Sequence, residues 1–395
     1  MRSPAVVAIV LFSALFAAAT CAAEPESVDL LITRGHVLTL NDRREVIRDG
    51  VVAIRGERIV AVGESALATR FRARRVIDAR GGLVLPGMIN AHTHASMTVF
   101  RGLGDDVPDR LRRFIFPLEK HFVDREVVHW GALHGIVEMI EGGVTTFADM
   151  YYFEEEVARA ARLAGMRGVL GQTIVNFPAP DTPEPYGGIA LARRFITTHR
   201  GDPLITPALA PHAPYTVEPD RLREIARLAE ELDAPVLMHV AEMTDEVAAL
   251  RRDHNLTPVG HLAAAGLLNR RLVAAHCIFV DDADIALLAS SGAGVAHALV
   301  ANIKSAKGVA PVTRMMAAGV RVYVACIPIR LMLGDALLSF GGLMNPILGA
   351  ILLFVGLSLL YTYVGGVKAG PGPEVTEAEE LDRVLPAIEA LRGAR

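Results

Sequence analysis

Leu83-Val-Leu-Pro-Gly-Met-Ile-Asn-Ala-His92-Thr-His94 decides the fold class of this chain. The apolar run at 83–89 has the length of a buried strand, and two histidines follow it at positions i and i+2. Side chains two apart on a strand point the same way. Both imidazoles can therefore reach one metal ion from the same side. A lone His-x-His is weak, but after a buried strand opened by Pro-Gly it is a strong metal signal.

The same pattern repeats downstream. Short apolar runs at 144–147, 168–170, 204–209, 236–240, 272–275, 294–296 and 320–324 alternate with helical stretches. Eight strands alternating with helices predict an α/β fold, a closed (β/α)8 TIM-like barrel over 83–327 rather than an open sheet. Upstream, 28–65 alternates apolar and polar residues between turns such as Arg34-Gly35, Asn41-Asp42 and Arg55-Gly56. This predicts a small antiparallel β-domain over 24–82.

The polar residues that end barrel strands share one mouth. His239 ends an apolar strand, and Glu242 follows within reach as a proton acceptor and donor for an activated water. His276 ends another strand, as a ligand or as a group that polarises the bond under attack. His212, in Pro211-His-Ala-Pro-Tyr215, is held rigidly by its prolines and suits substrate binding.

The chain of 395 residues carries a net charge of −4 and no basic run, which argues against nucleic acid as a partner. Its three cysteines make no disulfide framework. The ends raise the hydrophobic fraction to 52%. Residues 1–23 read as a signal peptide: Arg2, an apolar stretch, then small residues to Ala23. They predict export to a periplasm. No charge occurs between Ala336 and Val367, so 343–365 reads as a transmembrane helix that would anchor the protein. Residues 373–395 read as a polar helical tail.

Pro-Gly before His-Thr-His, Gly-Gly-Val-Thr-Thr-Phe-Ala-Asp-Met at 142–150, Pro-His-Ala-Pro-Tyr-Thr, His-Val-Ala-Glu and Ala-His-Cys occur in this order. Together they resemble the amidohydrolase superfamily, nearest its S-adenosylhomocysteine/5′-methylthioadenosine deaminases and triazine chlorohydrolases, over residues 28–322. The resemblance implies a divalent metal, zinc or else iron(II), on His92, His94 and His239. It implies that Glu242 shuttles a proton, that His276 orients or polarises the water, and that Glu119 and His212 bind substrate, Glu119 at the ribose. The implied reaction is deamination of an aminopurine nucleoside-type or related small heterocycle by a metal-activated hydroxide. The alternatives are chloride displacement or cyclic-amide opening. Whether the chain forms a homo-oligomer stays open.

The family ends its eighth strand in an aspartate that binds the metal; Ile327 stands there in this chain, and Asp335 lies eight residues on. The family's His-Asn/Cys-Pro-x-Ser-Asn becomes His297-Ala-Leu-Val-Ala-Asn302. These departures predict a barrel incomplete at its C-terminal end. They keep open a truncated or fused relative with impaired catalysis, a variant whose metal rests on histidines, or a tethered relic.

Overall fold

The computed structural model describes residues 24–104 and 109–325. These form two compact units divided after Pro86.

The first unit is a single sheet. Strands β1 (Glu26–Leu38), β2 (Val46–Arg55), β3 (Arg58–Glu64) and β4 (Phe71–Asp78) lie in the order β3-β2-β1-β4. The turn at Gly56 has φ +57°, a conformation glycine adopts without steric cost, and it closes the β2–β3 hairpin. The expected antiparallel sheet is corrected in part. β1 pairs β2 antiparallel but β4 parallel, because the 3₁₀ turn Ser65–Arg70 carries the chain across before β4 begins. Val28, Leu31, Val51 and Ala53 form the small core.

A second correction concerns the opening stretch. Leu83–Val84 is β5 and pairs β1 in the first unit, whereas the barrel strand β6 begins at Met88. The Pro86-Gly87 step separates them, since proline offers no N–H to a ladder.

The second unit is a parallel eight-stranded sheet in sequence order: β6 (Met88–Thr93), β7 (Val144–Tyr151), β8 (Arg167–Ile174), β9 (Ile205–Pro211), β10 (Val236–Val240), β11 (Leu272–His276), β12 (Gly294–His297) and β13 (Arg321–Val324). β13 returns against β6, so the barrel nearly closes. Helices α1 (Phe116–Phe122) and α2 (Arg125–Glu141) link β6 to β7, and α3 (Glu154–Ala164) links β7 to β8. Asp124 caps α2 by accepting the Val127 N–H at 2.8 Å.

Alternation along each strand builds two layers of core. Val236, Met238 and Val240 of β10 face the outer helices, packed with Leu222, Ile225 and Leu262. Leu237 faces the barrel interior with Met150, Ala208 and Ala210. Further along the interior, Ala91, Ala275 and Ala296 form a separate cluster of small buried side chains, with Val273 packed against it.

Among the described residues no helix is long and apolar enough to cross a membrane. Residues 1–23, 343–365 and 373–395, read as signal peptide, membrane helix and tail, lie outside the described residues, as do Ile327 and Asp335.

Candidate active site

Strict strand alternation would point two key side chains away from the mouth. In β10, Leu237 and His239 face in, so the next inward residue should be Ala241. Instead Ala241 packs beside Val240 on the helix side, and Glu242 turns inward. Ala241 has φ +51°, a left-handed conformation that shifts the alternation by one. In β11 the same device acts one strand over. Ala275 faces in, and His276, with φ +73°, also turns in, while Cys277 packs on the helix side. β6 has an irregular register between Asn90 and Thr93, ahead of His94. Left-handed non-glycine residues cost about 1–3 kcal/mol and cluster at functional sites.

The four histidines converge. Ring centroids lie 5.0 Å apart for His92–His94, 4.9 Å for His92–His239, 5.2 Å for His92–His276 and 5.1 Å for His94–His239. Ligand atoms of His92, His239 and His276 all lie within 4.8 Å of one another. Burial, and then the neighbouring imidazoles, hold His92 and His239 well below the usual histidine range. Both rings are therefore neutral near pH 7.

Tautomers settle whether a metal fits. His94 Nδ1 lies 2.6 Å from the Met150 carbonyl, and His239 Nδ1 lies 2.8 Å from the His212 carbonyl. A carbonyl only accepts, so both Nδ1 atoms carry the hydrogen. Both Nε2 atoms then present lone pairs, and these face each other at 3.1 Å. Two facing lone pairs repel unless a cation sits beside both. Nitrogens sharing a tetrahedral zinc lie about 3.3 Å apart. The donor set therefore fits a divalent metal, and the backbone carbonyls supply the outer partners that orient its ligands. Among the described residues no carboxylate joins the three-histidine group.

Glu242 stands beside this cluster, with Oε1 3.5 Å from His276 Nε2 and 2.5 Å from Lys307 Nζ. Burial pushes its carboxyl up, but His276 and Lys307 outweigh burial and hold it below the usual range. Lys307 escaped the sequence reading, because it lies in the segment after β12 with no motif around it. Two further supports escaped too. Asn302 Oδ1 lies 2.7 Å from His276 Nδ1. Glu246 accepts the Ala241 and Glu242 N–H groups, each at 2.9 Å, and so fixes the turn that aims Glu242. Lys307→Met removes the nearby cation, so the Glu242 carboxyl should rise. The acid limb of the kcat/KM profile should then move to higher pH, and Lys307→Arg should keep it in place. A profile unmoved by Lys307→Met takes Lys307 out of the site.

The other expected residues lie on the neighbouring wall. Glu119, on α1, is buried and accepts the Tyr151 hydroxyl at 2.9 Å; the Tyr151 ring is 6.1 Å from that of His94. Burial pushes the Glu119 carboxyl up to about 8, against the Tyr151 hydrogen bond. His212 lies 4.7 Å from His239 by ring centroids, with Phe116 at 5.8 Å and Tyr215 at 5.9 Å. Its Nδ1 donates to Thr216 Oγ1 at 3.1 Å, because the Thr216 hydroxyl is itself given to the Ala213 carbonyl. That leaves Nε2 as an acceptor. Burial lowers His212 to about 4, so it is neutral at pH 7. His297, the first residue of the altered His297–Asn302 stretch, ends β12 buried, with Nδ1 unpartnered among the described residues.

Fold and site together define a metal-dependent barrel hydrolase. The chain belongs to the amidohydrolase family, whose model matches residues 83–326. It is 44% identical over 300 residues to 5-methylthioadenosine/S-adenosylhomocysteine deaminase 1 of Syntrophus aciditrophicus, covering 75% of this chain and 68% of the relative. The 5-methylthioadenosine/S-adenosylhomocysteine deaminase of Syntrophobacter fumaroxidans is 43% identical over 297 residues, 74% of this chain and 68% of the relative. Among solved structures, a zinc-bound adenosine deaminase from Xanthomonas campestris superposes with a TM-score of 0.74 at 35% identity, over 76% of this chain and 69% of that one. A zinc-complexed atrazine chlorohydrolase from Arthrobacter aurescens TC1 shares the fold, with a TM-score of 0.68 at 22% identity over 75% and 71% of the two chains. The chain is thus a hydrolytic enzyme of carbon–nitrogen bonds other than peptides. The expected periplasmic, membrane-anchored location is corrected to this extent: no helix among the described residues is long and apolar enough to span a bilayer, and residues 1–23 and 343–365, from which that location was read, lie outside them.

Proposed function

We propose that this enzyme hydrolyses the exocyclic amine of an aminopurine nucleoside-type ligand: water adds at the ring carbon, the C–N bond breaks, and ammonia leaves. The observation that carries the reading is Glu242, aimed at the histidine cluster at 3.5 Å from His276 Nε2. Zinc suits the imidazole donors of His92, His94 and His239, and the Xanthomonas campestris relative holds zinc. Bound there, the ion supplies Lewis-acid activation of water. The chain's own groups do the rest. Glu242 takes a proton from the water and returns it to the departing amine. His276 holds its ring beside Glu242, fixed by Asn302. His212 Nε2 accepts a donor from the heterocycle. Phe116 and Phe177, with centroids 5.3 Å apart, offer an apolar wall for a flat ring.

Glu119 suits hydroxyl donors on the sugar, and this gives a pH signature. Two hydroxyls donate best to an ionised carboxylate, whereas a carboxyl at about 8 is mostly protonated at pH 6 to 7. KM for a ribose-bearing substrate should fall as pH rises toward 8 and then level off. Glu119→Gln should flatten this dependence and raise KM. A flat wild-type KM across that window removes Glu119 from the sugar site.

The test of the reading is ammonia release by the zinc-supplied full chain from a panel of aminopurine nucleosides and aminotriazines. Release from a nucleoside, abolished by chelator, is the expected result. Chloride release from chlorotriazines without ammonia overturns the deaminase reading in favour of the chlorohydrolase.

A further inference from the structure

The Gly142–Met150 motif contributes no side chain to the chemistry above, yet it contains Asp149, one of the most deeply buried carboxyl groups of the barrel unit. Asp149 sits on β7 in register with Thr93 of β6. Its Oδ1 accepts the Ala95 N–H at 2.6 Å. It lies 2.5 Å from the Thr93 hydroxyl, which it shares with the Ala148 carbonyl at 2.9 Å. Thr93 and Ala95 flank His94 on either side. The next residue of the motif, Met150, receives the Nδ1 hydrogen of the His94 ring. The strand thus holds His94 at three points: the residue before it, the residue after it and the ring itself.

We propose that Asp149 is a positioning residue for the metal site, clamping the His92-Thr93-His94 turn so that the two imidazoles hold a shared ion. The remaining oxygen of Asp149 explains how so buried a carboxyl is kept. Asp149 Oδ2 and Glu154 Oε2 are both buried with no hydrogen-bond partner among the described residues, and burial, with the Asp149 charge beside it, pushes the Glu154 carboxyl well above the usual range. A carboxyl kept protonated in this way supplies the O–H that its neighbour can accept. Glu154 in turn accepts the Tyr151 N–H through Oε1 at 2.7 Å. The donor that Asp149 needs on its outer side is therefore a single O–H. An amide N–H₂ can replace it.

That equivalence gives a test that a merely structural role does not pass. Asp149→Asn keeps the Oδ1 acceptor and turns its amide toward the Glu154 carboxylate. Asp149→Leu keeps the branched shape, at a larger volume, and loses both acceptors. Zinc affinity of the full chain, measured by chelator competition with zinc alone, should weaken about 10–100-fold in Asp149→Leu. It should stay within about threefold of wild type in Asp149→Asn. The melting temperature of the metal-free protein, taken alongside, separates loss of ligand geometry from loss of fold. Equal zinc affinity in wild type and a folded Asp149→Leu overturns the proposal. So does an Asp149→Asn variant as weak as Asp149→Leu. Should Asp149→Leu not fold, Thr93→Val decides, since it removes one clamped donor at constant shape: a several-fold loss supports the clamp, and unchanged affinity overturns it. The inference rests on the metal reading of the site. A wild-type chain that takes up no zinc at all overturns that reading itself, an outcome distinct from variants that bind zinc as wild type does.

Discussion

Glu242→Gln should lower kcat and kcat/KM together by about 10²–10⁴, the contribution of a positioned general acid–base, with zinc content unchanged. The substitution keeps side-chain length and an oxygen that accepts from Lys307, now 2.5 Å from Oε1. The turn that aims the side chain is also untouched, because Glu246 holds it through the Ala241 and Glu242 backbone N–H groups. What is lost is the basic oxygen pair that can take a proton and give it back. Glu242 faces His276 Nε2 at 3.5 Å, and among the described residues no carboxylate joins the three-histidine group to substitute for it. Metal content and ammonia release on the same preparation check this. Zinc bound at wild-type level with turnover retained would remove Glu242 from the mechanism.

The barrel was legible because buried parallel strands leave short apolar runs, and because strand-end histidines are conspicuous after them. His92, His94, His239 and His276 could be read one strand at a time. The route by which Glu242 and His276 enter the site could not. A left-handed residue that resets strand alternation is usually announced by glycine, and here the positions are Ala241 and His276. The sequence carries no mark of either shift. Groups that act through their neighbours were equally hidden. Lys307, Asn302 and Glu246 come from loops or helices beyond the strand ends, and their roles exist only once β10, β11 and β12 are side by side. Asp149 was quoted as part of a motif, but its clamp depends on register between β6 and β7, which no local pattern encodes. In the first unit, alternation revealed strands, whereas their partners depended on the 3₁₀ turn Ser65–Arg70. Pro86 could have warned that the run at 83–89 is interrupted, since a proline interrupts a ladder.

His239→Ala should have two effects of opposite sign. Removing the imidazole leaves the His94 Nε2 lone pair without the partner that now faces it at 3.1 Å. Zinc affinity should fall by more than the 10–100-fold that losing an outer-shell partner costs. Turnover should fall with it, as water then lacks its activating ion. Bound zinc also stabilises the native state by about 4 kcal/mol when present at a thousandfold above its dissociation constant, so the zinc-dependent rise in Tm should shrink or vanish. In metal-free protein the same substitution should act the other way in acid. His239 is held well below the usual histidine range by burial first and then by His212, His92, His94 and His276. A histidine depressed in the folded state binds fewer protons than it does unfolded, where its value is near 6.5. Stability is then full above that value and is lost as pH falls below it. Removing one such ring from a crowded set lessens the loss. Metal-free His239→Ala should therefore lose less Tm between pH 7 and pH 5 than metal-free wild type, although it no longer holds zinc. Differential scanning of both proteins, with chelator and with zinc, reads both effects. Zinc affinity equal to wild type would exclude His239 as a ligand, and an unchanged acid loss would exclude the depressed His239 ring as a source of it.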